Sequence, residues 1–273
     1  MAKSSRLRVA DVLAVSRLAG ECGDLADDPV AWRQHLLAGL ARLTGSRLAV
    51  DYDGDWPAFR VAVTVSGGDS GLDGAATGRL HAEFTRRGVG INPMVAAYAA
   101  AQRRSNGVPL TRADLLPDAE WYCSAYYRDW HAPTGADGLL YCWFARSAGN
   151  ATGLVLVRGP REPDYTGRQR ALVGLAARLV APQVGGRLAG FADPSPAALP
   201  PRARQALRCL LEGDSDKQVA ARLGLSRLTV NQYTKHLYRH FRVQSRSELL
   251  ARWLKRGWPI GPWADADGLG VTP

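Results

Sequence analysis

The sequence predicts two domains of different class: an α+β domain with an antiparallel sheet flanked by helices, then an all-α domain of four helices. Three observations carry this prediction. The chain has 273 residues, 46% of them apolar, which is enough for two buried cores. The run Ala192-Asp193-Pro194-Ser195-Pro196-Ala197-Ala198-Leu199-Pro200-Pro201 holds four prolines in ten residues. It cannot continue a helix and reads as a short, stiff linker over residues 192–200. The charge is also divided unevenly. Of a net +10, residues 199–257 carry 13 Lys/Arg against 4 Asp/Glu, while residues 1–198 carry 22 against 19. A basic domain beside a near-neutral one suits a nucleic-acid binder with a separate second domain. An acidic protein or an anionic membrane would also attract that charge, so a motif has to decide.

In the first domain, residues 1–191, Arg8–Gly20 places Val9, Val12, Leu13, Val15 and Leu18 mostly on one helix face. Asp28-Pro29 opens a second helix reaching Gly45, with Trp32, Leu36, Leu37, Leu40 and Leu43 recurring at three and four. Arg47–Asp51 and Phe59–Val65 read as strands about a Gly/Asp/Pro turn, and Ser66–Gly78 as a glycine-rich loop. Gly78–Arg87 and Pro93–Arg104 read as helices. Leu139–Arg146 and Thr152–Arg158 form a hairpin through Ser147–Ala151, and Tyr165–Leu188 is a long helix that Pro182 kinks or splits.

The second domain, residues 201–257, shows helical periodicity throughout. Pro201–Glu212 presents Ala206, Leu207, Leu210 and Leu211 and stops at Gly213. Ser215, with Gln218 three residues on, resembles a capping box for Asp216–Leu223. Gly224-Leu225-Ser226 is a tight turn, and Ser226 caps a third helix with Val230, Tyr233, Leu237 and Phe241 inward. Ser247–Arg256 is the fourth helix and ends at Gly257. Helix, short glycine turn and a helix with one apolar and one polar face is the helix-turn-helix layout. The outer face of the third helix carries Arg227, Asn231, Gln232, Lys235 and Arg239, types that bond base edges and phosphates. Arg222 and Arg252 are expected to face solvent.

Leu199-Pro-Pro-Arg202, Leu207, Leu211-Glu-Gly213, Lys217-Gln-Val-Ala220, Leu223-Gly-Leu-Ser226, Thr229-Val230 and Val243-Gln-Ser-Arg-Ser-Glu-Leu249 resemble the LuxR/FixJ-type DNA-binding domain across residues 199–257. The resemblance implies a DNA-binding transcriptional regulator that reads double-stranded DNA as a homodimer on inverted half-sites. It implies phosphate contacts from Lys217, Thr229 and Arg246 and base contacts from Asn231, Gln232 and Lys235. Arg227 and Arg239 are read as further phosphate contacts, the alternative being solvated helix residues. The fourth helix, with Leu250, Trp253 and Leu254, falls where such domains dimerise. Pro200, Ala203, Asn231 and Tyr233 depart from the family's usual Thr, Glu, Lys and His. Asn in place of Lys removes a cation and alters the expected sequence preference, since Asn and Gln can pair with adenine.

The first domain lacks a receiver-type acidic pattern and a Walker loop. Tyr52, Trp56 and Asp28-Pro29 stand in the wrong order for an acyl-homoserine-lactone site. The order of elements, together with Asp114-Leu-Leu-Pro-Asp-Ala-Glu-Trp-Tyr122, resembles a GAF- or PAS-like sensory domain. Its densest aromatic run implies a ligand pocket of Trp121, Tyr126, Tyr127, Trp130 and Trp143, or else the domain's core. Two other readings stay open for this domain, a protein-interaction module without a small ligand and a catalytic domain fused to a DNA reader. His131 and Asp129 have no nucleophile beside them, so no catalytic set is expected. Cys22, Cys123, Cys142 and Cys209 are scattered, and His236 and His240 have no third ligand nearby, so neither metal nor cofactor is expected. The basic start has no apolar signal core and no stretch is long enough to span a bilayer. The expectation is a cytoplasmic protein without membrane contact. The tail, residues 258–273, exceeds what the four helices need.

Overall fold

A computed structural model describes residues 6–55, 60–65, 74–87, 89–102, 107–147 and 150–260. The chain divides into two compact units, Met1–Gly20 with Arg33–Pro182 and Glu21–Trp32 with Gln183–Pro273.

Helix α1 spans Val9–Asp24 and starts where the Asp11 carboxylate accepts from the Arg8 N–H at 2.8 Å. That is the N3 half of a capping box. Asp11 also receives the Arg168 guanidinium, whose hydrogen bond holds its carboxyl down at about 2. Helix α2, Ala31–Thr44, begins just past the expected Asp28-Pro29. Asp28 Oδ1 accepts from the N–H groups of Val30 (2.8 Å) and Ala31 (3.1 Å), which uses two of the helix's free donors.

The strands are β1 (Leu48–Asp55) and β2 (Arg60–Val65), followed by helices α3 (Gly74–Arg87) and α4 (Pro93–Gln102). Then come the two-residue β3 (Leu110–Thr111), the short helices α5 (Arg112–Leu115) and α6 (Asp118–Cys123), and a π-helical turn, Tyr127–His131. The hairpin β4 (Gly138–Ser147) and β5 (Asn150–Arg158) leads to α7 (Gly167–Val180). The five strands form one sheet in the order β2-β1-β5-β4-β3, and every neighbouring pair is antiparallel.

Pairing fixes which side chains share a face. Tyr52 lies opposite Gly153 and Gly153 opposite Trp143; one step on, Val50, Val155 and Tyr141 line up. With Leu48, Val157 and Leu139 they make one apolar face, joined by Met94, Tyr98, Trp121, Tyr126 and Ala136 from the helical segments. Gly153 is needed in this row, because a Cβ there would stand 2.4 Å from Trp143 Cδ1. The opposite face carries Asp51 and Asp53. Arg33 of α2 donates from Nε to Asp51 and from Nη2 to Asp53, each at 2.7 Å, and Arg33 is fully buried. Helix α7 packs against β4 and buries Leu172, Val173, Ala176, Ala177 and Val180.

Several boundaries differ from expectation. Helix α1 runs on to Asp24. The helix expected over Tyr165–Leu188 stops at Val180, because Pro182 sits in a 3-10 turn, Ala181–Gln183. Neither β3 nor α5, α6 and the π turn was foreseen. The expected features at Met1–Ser5, Trp56–Phe59, Ser66–Asp73, Arg103–Arg104, Ala148–Gly149 and Gly261–Pro273, with Trp56 and most of the tail among them, lie outside the described residues.

The second unit does not begin at the proline run. Ala189 N–H donates to the Ala26 carbonyl (2.7 Å), Trp32 Nε1 to the Ala189 carbonyl (3.0 Å) and Ser195 Oγ to the Asp27 carbonyl (2.5 Å). These bonds place the turn Glu21–Trp32 with Gln183–Leu199. Ser195, Pro196 and Leu199 are buried, so the segment expected to link is part of the unit's core. It leads into α8 (Pro201–Leu211), α9 (Asp216–Leu223), α10 (Arg227–Phe241) and α11 (Arg246–Arg256).

His131 offers a test of the first unit's core. It is buried, donates from Nδ1 to the Ala136 carbonyl at 3.1 Å and stands edge-on to Trp121, with ring centroids 5.3 Å apart. Burial pushes its pKa down from 6.5 to about 4, against the opposing pull of the Ala136 carbonyl. Between these values the unfolded chain takes up a proton that the folded one refuses, so stability falls as pH drops from 6.5 towards 4, by up to about 3 kcal/mol. Urea unfolding at pH 7 and pH 5, followed by tryptophan emission, should show that loss in the wild type and a smaller one in His131→Gln. Parallel losses in the two proteins would contradict a buried neutral imidazole.

Candidate nucleic-acid interface

The C-terminal helices are set by their caps. Ser215 accepts from the Gln218 N–H while Gln218 Oε1 accepts from the Ser215 N–H at 2.8 Å, a complete capping box at the start of α9. Gly224 ends that helix at φ +65°, where an L side chain is strained, and the Leu225 N–H returns to the Ala220 carbonyl. Two residues later Ser226 caps α10 by accepting from the Thr229 N–H at 3.1 Å. The short connection between α9 and α10 follows from these two caps.

Helix α10 is divided lengthwise. Val230, Leu237 and Phe241 are fully buried, and Tyr233 is half-buried. Arg227, Asn231, Gln232, Lys235 and Arg239 are all exposed. Lys217 on α9 is exposed as well, and Thr229 is half-buried with its hydroxyl 2.8 Å from Ser226 Oγ. The expected base-contacting and most of the expected phosphate-contacting side chains thus lie in solvent.

Arg246 is placed differently. Its guanidinium donates to the carbonyls of Asp214 (2.5 Å) and Leu210 (2.7 Å), closing the α8–α9 turn onto the start of α11. Arg252, expected in solvent, is half-buried and donates to the Phe241 carbonyl at the end of α10. Arg222 pairs with Glu212 and Asp214. On α11, Trp253 is 4% exposed and stacks edge-on between Phe241 (5.8 Å) and Trp258 (5.2 Å), so it belongs to the domain core. Leu250 is half-buried, and Leu254 is 80% exposed.

The proline segment is held from the same helices. His240, in the last turn of α10, donates from Nε2 to the Ser195 carbonyl at 2.9 Å. Arg256 reaches both Asp193 oxygens (2.8 and 2.9 Å), and Trp258 Nε1 donates to the Arg187 carbonyl at 2.9 Å. Spacing alone made His236 and His240 look like a pair, and the long-range partner of His240 could not be read from it.

In the first unit the five aromatics singled out from the sequence come together. Trp121, Tyr126 and Trp143 are buried, and Tyr127 and Trp130 pack against the same cluster. Trp121 centres it, with ring distances of 5.3 Å to Tyr127 and 5.8 Å to Tyr126. Tyr141 and Asn92 also belong here, joined at 3.3 Å, and Tyr52 completes the row; alternation with Leu139 and Trp143 could have found Tyr141. Burial pushes the hydroxyls of Tyr52, Tyr126 and Tyr141 up, so they stay protonated and able to donate. Trp121 Nε1 is fully buried and has no hydrogen-bond partner among the described residues.

Comparison with known proteins bears on the second unit. Residues 197–252 match the family of bacterial regulatory proteins, luxR family. The C-terminal part of the chain is therefore a LuxR-type helix-turn-helix domain. A curated relative, the probable HTH-type transcriptional regulator GfsR of Streptomyces halstedii, is 37% identical over 90 residues, 32% of this chain. The match takes in 36% of that protein, so the chain spans about a third of the relative's length. Among solved structures, Escherichia coli SdiA aligns at 12% identity over 80% of this chain and 86% of its own, with a TM-score of 0.37. SdiA in complex with octanoyl-rac-glycerol aligns at 13% over 90% and 94%, with a TM-score of 0.42.

The position of Arg246 separates holding the fold from touching DNA. Arg246→Ala removes two bonds from a charged donor and should lower the stability of the C-terminal unit by about 2 kcal/mol. Lys217→Ala and Arg239→Ala, both at exposed positions, should stay within about 0.5 kcal/mol of wild type. Thermal unfolding of the three variants checks this. An unchanged midpoint for Arg246→Ala would mean that the two carbonyl bonds contribute nothing.

Proposed function

We propose that the chain is a transcriptional regulator that binds duplex DNA through α9 and α10 and senses a small molecule in its first unit. The observation that carries the DNA reading is the split of α10. Val230, Leu237 and Phe241 are buried inward and Leu228 in the first turn is exposed. Asn231, Gln232 and Lys235 stand exposed on the helix that also carries the exposed Arg227 and Arg239, with Lys217 exposed on α9. A helix presented in this way fits the major groove: Asn and Gln bond adenine edges, and Lys bonds guanine or phosphate. The exposed Leu254, beside the half-buried Leu250, supports pairing of two such domains through α11 on inverted half-sites.

The sensing reading extends to a GAF- or PAS-like unit. It is supported by an antiparallel sheet whose first and last hairpins meet at β1 and β5, flanked by helices. The candidate site is the aromatic cluster around Trp121, whose buried indole N–H lacks an acceptor among the described residues. An unmet donor at a dry site is costly, and a ligand oxygen would satisfy it. The ligand that fits is small, uncharged and largely apolar, with a carbonyl or hydroxyl oxygen for Trp121. The charged Arg33, Asp51 and Asp53 sit on the far face of the sheet.

Selection of full-length protein on random duplex DNA should enrich one sequence. Against it, Asn231→Ala and Gln232→Ala should each lose about 1–3 kcal/mol, and Lys217→Ala should reduce the slope of log affinity against log salt by about 1. Equal binding by all variants would refute the α10 interface. Native mass spectrometry of the freshly purified protein should show an excess mass that disappears on denaturation and is reduced in Trp121→Phe. A bare mass that stays bare after incubation with cell extract would instead make the unit a protein-interaction module.

A further inference from the structure

One large apolar side chain of α10 is turned away from the core. Leu228 is 73% exposed, whereas Val230, Leu237 and Phe241 are fully buried. At about 100° per residue, Leu228 stands nearly opposite the line that those three make along the helix. It is therefore not an edge residue leaning on the core. Leu228, Gln232, Lys235 and Arg239 follow each other at four, three and four residues, within an arc of about 60°. All four are exposed, so a leucine occupies the N-terminal end of the row of polar side chains. The cap holds it there. Ser226 accepts from the Thr229 N–H at 3.1 Å, which puts Leu228 in the first turn of the helix.

We propose that Leu228 is a specificity-determining residue of the DNA interface and reads the C5 methyl group of a thymine in the major groove. This rests on the α10 interface proposed above and adds one base to it. The N-terminal residues of a helix docked in this way are the ones that reach base edges. Along the major-groove edges of the base pairs the thymine methyl is the apolar feature, and the others are hydrogen-bond donors and acceptors. A leucine side chain can neither donate nor accept, so packing on that methyl is the readout open to it. The surroundings favour a nucleic acid over a protein partner. Helix α10 holds no Asp or Glu, and the exposed Arg227, Lys235 and Arg239 share its outward side with Leu228. Such cations are drawn to the phosphates that line a groove. Gln232 lies one turn further on, about 6 Å along the helix axis, against about 3.4 Å for a base-pair step. The thymine is thus placed within about two base pairs of the adenine that Gln232 bonds.

The test selects random duplex DNA with the full-length wild type and with Leu228→Ala. Wild type should enrich a thymine at one position that the variant leaves free, with the other preferred positions unchanged. In the selected duplex that thymine is then replaced by deoxyuridine, which lacks only the methyl. For wild type the replacement should weaken binding about fourfold per thymine, as expected for one buried methyl-sized group. Leu228→Ala should bind the two duplexes alike, which also controls for any effect of the methyl on the duplex itself. Because Leu228 is exposed, the variant should keep the wild-type circular dichroism spectrum and unfolding midpoint. A wild type indifferent to the methyl, or the same loss in both proteins, would overturn the inference. Asn231→Ala tells that failure from failure of the interface. If it loses affinity while wild type ignores the methyl, α10 reads DNA without Leu228 and the inference falls alone. If Asn231→Ala binds as wild type does, the α10 interface falls and the inference with it.

Discussion

The first unit is organised around a buried cation. Arg33 has no solvent exposure, and two carboxylates, two residues apart on β1, receive it. Burying such charges costs several kcal/mol per ion, recovered only when geometry and hydrogen bonds are good. Thr152 on β5 supplies one of those bonds by donating to Asp53 at 3.2 Å. The group therefore fixes three elements at once: the rotation of α2, the register of β1 and the pairing of β1 with β5. Because side chains alternate along a strand, holding Asp51 and Asp53 on the α2 side commits Leu48, Val50 and Tyr52 to the other. A slip of one residue would bury the carboxylates among the aromatics and turn the apolar row towards Arg33. The aromatic cluster is in this sense a consequence of a salt bridge on the opposite face.

The two units differ in how much of them the sequence discloses. In the second, the structure-determining signals are local. Ser215 with Gln218, Ser226 with Thr229, and Gly224 and Gly257 at helix ends each act within four residues, so the first, second and fourth of these helices could be drawn to within a residue of their ends and the third to its start. The polar face of α10 was legible for the same reason, since it follows from where Val230, Leu237 and Phe241 must go. In the first unit the strands showed through alternation, and even the capping of α2 by Asp28 was visible.

What stayed hidden depends on contacts far apart in the chain. The two-residue β3 exists because Leu110 pairs with Tyr141, and nothing in its own sequence marks it. The π turn at Tyr127–His131 answers to the packing of Trp121, Tyr126 and His131, not to any helical period. Arg246 and Trp253 carry residue types suited to a surface role, yet carbonyls of another turn claim the first and two aromatic rings the second. Proline content marked residues 192–200 as a linker, but composition cannot tell a stiff tether in water from a stiff segment buried against its neighbours.

That last distinction changes what the proline segment is mechanically. A tether tolerates changes of length, because its ends are joined only through slack chain. Here Asp193 is gripped by Arg256, the Ser195 carbonyl by His240 and the Ser195 hydroxyl by the Asp27 carbonyl. Attachment points two residues apart leave no slack to take up. Adding or deleting one residue would force the segment to release either α10 or the Glu21–Trp32 turn. Residues 193–199 thus behave as a fitted strut, and their length is under stricter constraint than their composition.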